Sequence, residues 1–180
     1  MIQRIQSFWL VLAACCMALC LMFPVAEYHL SLPSTGQTVE AEFNLLAKDN
    51  PEMLNQIANL DPVVVYSQQA SGFRTWPLIV LTVVVALIAL VCVFLYKNRV
   101  RQMRIVAVAF LINVIDVFLV FFWAVDAYGK TLMRAMQGTE LQITWFVGAY
   151  APLVSLVLLI LAHRAIKRDE AKVRAADRLR

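Results

Sequence analysis

The sequence predicts an all-α membrane protein: a four-transmembrane-helix bundle with a small α/β extracytoplasmic cap between helices 1 and 2. Three observations lead there. Hydrophobic residues make up 62% of the chain and charged residues 16%, against about 45–50% and about 25% in soluble domains. The excess is gathered in four runs, 8–26, 76–96, 105–125 and 143–162. Each is close to the roughly 20 helical residues that cross a hydrocarbon core. Lysine and arginine are kept out of all four runs. Packed as soluble helices, runs of this length would leave too little polar surface in a 180-residue chain to cover them. The whole chain, 1–180, reads as one membrane domain.

The first run is span-length and ends in Phe23-Pro24-Val25-Ala26, where a signal peptidase could cut before Glu27. Leu12-Ala13-Ala14-Cys15 also has the form of a lipoprotein cleavage box. The apolar run continues straight through that box, and too few apolar residues precede it for a full signal core. An uncleaved first span is therefore expected. The segment 27–75 is the one soluble-looking stretch. Val39-Glu40-Ala41-Glu42-Phe43 alternates in the manner of a half-exposed strand. Asp49-Asn50-Pro51-Glu52 reads as a capped helix start, the helix running to about Leu60. Asp61-Pro62 then introduces the β-branched run Val63-Val64-Val65-Tyr66, a second expected strand.

Span three is expected to continue into the segment 126–142 until Gly138 stops it, since Lys130 and Arg134 lie one helical turn apart. Trp76, Trp123 and Trp145 sit at or near one set of span ends, and Trp9 and Tyr96 near the other. Aromatic rings prefer the interface, so anchoring is their expected role. The tail 163–180 reads as span four extended into a charged helix, with Glu170 and Arg174 paired at i,i+4. Its basic excess favours anionic lipids. Nucleic-acid binding has no fold signature here, and topology already accounts for the charge.

Basic residues set the orientation. Arg4, the group Lys97, Arg99, Arg101 and Arg104, and seven residues of the tail fall on one side of the spans. Lys48, Arg74, Lys130 and Arg134 fall on the other. Basic residues near spans resist translocation, which predicts both termini inside. All four cysteines, Cys15, Cys16, Cys20 and Cys92, lie within predicted spans rather than in exported loops. They are expected to pack as small hydrophobes.

Met1-Ile2-Gln3-Arg4-Ile5-Gln6-Ser7 at the start, Phe94-Leu95-Tyr96-Lys97-Asn98-Arg99 at the end of span two, and the tail from Ala162-His163-Arg164 through Arg178-Leu179-Arg180 are the most distinctive stretches. Together they resemble domain-of-unknown-function family 4293, small four-span membrane proteins of Gram-negative bacteria. The resemblance implies a multi-pass protein of the bacterial inner membrane and carries no activity or functional residue with it.

Asp116 is the one acidic or basic side chain inside a predicted span. An ionised carboxylate near the bilayer centre costs at least about 2.5–3.5 kcal/mol on insertion scales. It must face the interior, carry a proton or reach water. Asn113 shares its helical face. Ser155 and Tyr150 of span four lie at similar depth, and Thr82 of span two somewhat further out. One reading makes Asp116 a proton or cation carrier; the other makes it a hydrogen-bonding residue that fixes helix packing. A transporter usually shows internal repeats and several broken helices, and their absence from the sequence favours packing. Pro152 removes its own donor and crowds the carbonyl of Gly148, so a kink is expected there.

Enzyme chemistry finds no support. His29 and His163 fall on opposite sides of the spans, and five glycines form no phosphate-binding loop. The expected function is a non-enzymatic membrane interaction or assembly component. It needs no cofactor or metal, and its partners are the lipid bilayer and a membrane or periplasmic protein. A small proton-linked or ion-conducting transporter centred on Asp116 is the alternative.

Overall fold

A computed structural model describes residues 2–31, 38–46, 65–135 and 141–178. The elements are α1 (Ile2–Met22), β1 (Ala26–Ser31), β2 (Thr38–Phe43), α2 (Val65–Phe94), α3 (Arg99–Phe118), α4 (Val125–Ala135), β3 (Leu141–Trp145) and α5 (Val147–Arg178). A 3-10 turn, Leu95–Lys97, follows α2, and a π-helical stretch, Leu119–Ala124, joins α3 to α4. Four helical stretches are long and apolar enough to cross a membrane: Ile5–Met22, Thr75–Phe94, Arg99–Lys130 and Val147–Ala175. The chain divides into two compact units, each described by itself.

The helical unit comprises Met1–Leu19, Leu81–Val117 and Ala151–Arg180. Its helices bury stripes at three- and four-residue spacing, the signature of one helical face. On α1 these are Leu10, Ala13, Ala14 and Met17; on α2, Thr82, Val85, Ala89 and Cys92. On α3 they are Gln102, Val106, Ala109, Asn113 and Asp116. On α5 they are Ser155, Leu158, Leu159, Ala162, Ile166 and Asp169. Alanines in the shared core (Ala13, Ala109, Ala162) let helix backbones approach closely. The opposite faces are apolar too: Phe8, Leu87, Leu111 and Val157 are each more than half exposed. Helices of a soluble protein turn polar faces outward; here Thr82, Asn113, Asp116 and Ser155, within the apolar stretches, lie inside. α2 and α3 are joined through Leu95–Lys97 and Asn98, whose non-helical backbone breaks the helix. The Asn98 carbonyl then accepts from the Gln102 amide at 3.0 Å as the next helix begins.

The second unit, Cys20–Val80 and Phe118–Tyr150, is built on a sheet of order β2-β1-β3. Both pairings are antiparallel, with Ala26 opposite Phe43 on one side and Trp145 on the other. Pro24 disfavours a helical Phe23, and α1 stops at Met22. The ladder extends one residue further, Val25 donating to Phe43 O at 2.9 Å and accepting from Phe146 N at 3.0 Å. Tyr28, wholly buried, stands 5.1 Å from the ring of Tyr128, which lies 5.0 Å from that of Phe43.

These findings shift several sequence expectations. The first apolar run extends to Ala26, but its last residue is already strand. The fourth run opens with strand, at Ile143–Trp145 within β3, and its helix starts at Val147. Strand pairing across the chain claims both segments, whereas apolar content alone reads as helix. β1 and β3 were not legible; β2 agrees with the alternation at 39–43. Val65 and Tyr66, read as the end of a strand, instead open α2, because β-branched residues are tolerated in a helix that continues into a span. The expected helix near 49–60, Val63 and Val64, and the stop at Gly138 lie outside the described residues. Span three does continue as helix, to Ala135, but through a π-helical stretch that the periodicity does not announce.

Candidate functional site: a buried polar seam

The interior stripe of α3 carries the chemistry. Asp116 has no exposed surface. The hydroxyl of Thr82, on α2 and equally buried, donates to its carboxylate, at 3.2 Å to Oδ2 and 3.4 Å to Oδ1. One turn earlier on α3, the buried Asn113 amide donates to the main-chain oxygen of Pro152 on α5 at 3.4 Å. Pro152 therefore serves as an acceptor for a neighbouring helix within a helix that runs on through it. Among the described residues, Asn113 Oδ1 and the hydroxyl of Ser155, also fully buried, make no hydrogen bond.

Tyr150 is not part of this seam: it is exposed. Three residues apart from the seam extend the pattern. Gln102 donates to Cys92 O at 2.9 Å, filling one of the open carbonyls at the end of α2. Gln6 on α1 donates to Ala165 O on α5 at 3.3 Å. Arg99 Nη1 lies 3.1 Å from Asp169 Oδ2, an ion-pairing distance, while its hydrogen bond goes to the Asp169 carbonyl at 3.3 Å. None of these was read from the sequence as an interior link, yet Gln102 is in phase with Ala109, Asn113 and Asp116, and Asp169 with Ala162 and Ile166. Phase was the available signal.

Gly148 has a role that the sequence did not suggest. A Cβ there would lie 2.5 Å from Pro24 O and 2.6 Å from Phe23 O, and its amide donates to Pro24 O at 3.1 Å. Main chain meets main chain at this point, and only glycine leaves the space. In the same unit the Tyr28 hydroxyl donates to Val125 O at 2.8 Å, where the π-helical stretch returns to α-helix. Burial, with smaller contributions from Tyr128 and Asp126, pushes the Tyr28 phenol above its ordinary value, which keeps it a neutral donor. Among the described residues, no three His, Cys, Asp or Glu side chains gather as a metal site.

A family model described as a domain of unknown function (DUF4293) matches residues 2–179. The chain belongs to the DUF4293 family. The match covers the N-terminal, inter-span and tail motifs on which the resemblance was drawn. No curated protein and no solved structure matches this DUF4293 chain.

Proposed function

We propose that this DUF4293 chain is a non-enzymatic, multi-pass component of the bacterial inner membrane that serves interaction or assembly. One observation carries the reading: buried and half-buried polar side chains tie one helix to another. Thr82 and Asp116 link α2 to α3, Gln102 links α3 back to α2, Asn113 and Arg99 link α3 to α5, and Gln6 links α1 to α5. Interhelical hydrogen bonds of this kind hold membrane bundles together, whereas a proton relay needs groups that exchange partners. The basic residues support both termini inside, with the segment 27–75 in the periplasm. That segment and the exposed face of β3, including Thr144, would then meet a membrane or periplasmic protein partner.

A photoreactive side chain at Thr144 is expected to trap one defined protein species in native membranes, in wild type and in Asp116→Asn alike. Periplasm-dependent reporters are expected to work when fused near Gln56 and to fail at Asn98 or after Arg180. Activity at Asn98 would reverse the orientation.

A second reading keeps its own support. Asp116 is wholly buried, and among the described residues no lysine or arginine pairs with it. Intramembrane acids of that kind often carry protons or cations. Reconstituted vesicles decide between the two. A proton-linked flux in wild type that Asp116→Asn abolishes, with the fold intact, would replace the assembly reading by a transporter.

A further inference from the structure

The outward faces of α3 and α5 each change character at one end. On α3, Arg101 and Arg104 continue the exposed stripe of Val108 and Leu111. On α5, the exposed Val157 and Leu161 run into exposed Arg164 and Arg168. Residues at spacings of three, four and seven lie along one side of a helix. Each stripe thus presents hydrocarbon along its length and guanidinium groups at its end. We propose that these two stripes bind anionic phospholipids, acyl chains against the valines and leucines and phosphate headgroups on Arg101, Arg104, Arg164 and Arg168.

The placement of the nearby acids supports this beyond a simple excess of basic residues. Asp169 could neutralise the arginines of its own helix, but it is only 7% exposed and is held by Arg99. The Glu170 carboxylate is mostly covered and is paired with Arg174. Among the described side chains of α5, acid is drawn inward while base remains outside. Arginine suits the ligand, since its planar fork matches phosphate oxygens two at a time. A small soluble anion would make no use of the apolar stripe beneath each arginine pair; a lipid uses both parts. The proposal rests on the membrane-spanning reading of the helices, and it is independent of the choice between assembly and transport.

The test uses the full chain purified in a neutral detergent, its unfolding temperature followed as lipid is added. Phosphatidylglycerol is expected to stabilise it more than phosphatidylcholine does, with the difference shrinking as salt rises. Inorganic phosphate is expected to leave the protein unchanged. Arg101→Gln with Arg104→Gln, and Arg164→Gln with Arg168→Gln, are each expected to weaken the apparent phosphatidylglycerol affinity about thirtyfold, the equivalent of about 1 kcal/mol per basic residue at an anionic surface. Lys130→Gln, an exposed basic residue elsewhere, serves as the unaffected control. Equal stabilisation by the two lipids, unchanged affinity in both paired variants, or stabilisation by phosphate alone would each overturn the proposal. If the variants fail to fold, the wild-type comparison of headgroups and salt still decides it. Resistance of wild type to carbonate extraction from phosphatidylcholine vesicles tests membrane insertion separately.

Discussion

In the helical unit each helix satisfies its own main chain, so the long-range links fall to side chains such as Thr82, Gln102 and Asn113. In the sheet-bearing unit the main chain makes those links itself. Ala26 pairs across to Phe43 and Trp145, and Gly148 donates to Pro24 O. The first arrangement places polar side chains in a nearly apolar interior and depends on each finding a partner. The second depends on how closely two backbones can approach. The two units should therefore fail in different ways: one through loss of a polar partner, the other through added bulk.

Gly148→Ala is the severest expected test of that contrast. Its new methyl would collide with two main-chain oxygens that no rotamer change can move. A loss of about 3 kcal/mol is expected, at the upper end of overpacking penalties. Hydrogen exchange should show β1 and β3 amides losing protection while amides of α3 near Ala109 keep theirs. Equal loss in both places would show that the units do not unfold separately.

Next in size is Asp116→Leu, which removes the α2–α3 link. Bilayer measurements of such bonds put the loss at about 1.7 kcal/mol at most, and near 0.6 kcal/mol on average. Asp116→Asn retains an acceptor for Thr82 and is expected to stay within about 0.6 kcal/mol of wild type. Thermal unfolding in detergent measures both. A more damaging asparagine than leucine would break the idea that the residue acts through hydrogen bonding.

Tyr28→Phe sharpens the comparison from the other unit, for there a side chain does make a long-range bond. Removing the hydroxyl leaves Val125 O without that donor and is expected to cost about 1 kcal/mol. The smallest effect is reserved for Lys130→Ala. Its pair with Asp126, at 2.6 Å, lies on an exposed helical turn and is expected to contribute no more than about 0.5 kcal/mol. A loss above 1 kcal/mol in that variant would place Lys130 in a role beyond its surface pair.

Asp116 and Asn113 could be placed on one face from their spacing alone, and both are buried on the inner stripe of α3. Tyr150 was grouped with them by depth. Depth ignores rotation about the helix: Tyr150 is in phase with Val154, Val157 and Leu161, and all four are exposed. The same phase rule applied to every polar residue would have reached Gln102 and Asp169. It would not have reached Gly148 or Tyr28, whose roles depend on main chain more than 90 residues away.

By itself the sequence determined the four apolar helices, the face of α3 that Asn113 and Asp116 share, and the family. A helix closes its hydrogen bonds four residues back along the chain, so a local pattern of side chains is enough to specify it. Tertiary structure alone decided that Ala26 and Ile143–Trp145, drawn from apolar runs of span length, become strands. A strand's bonds are made to a partner elsewhere in the chain, and no local window contains that partner. It also decided which helix each buried polar group would join, because the direction of a side chain follows from sequence but the identity of its neighbour does not.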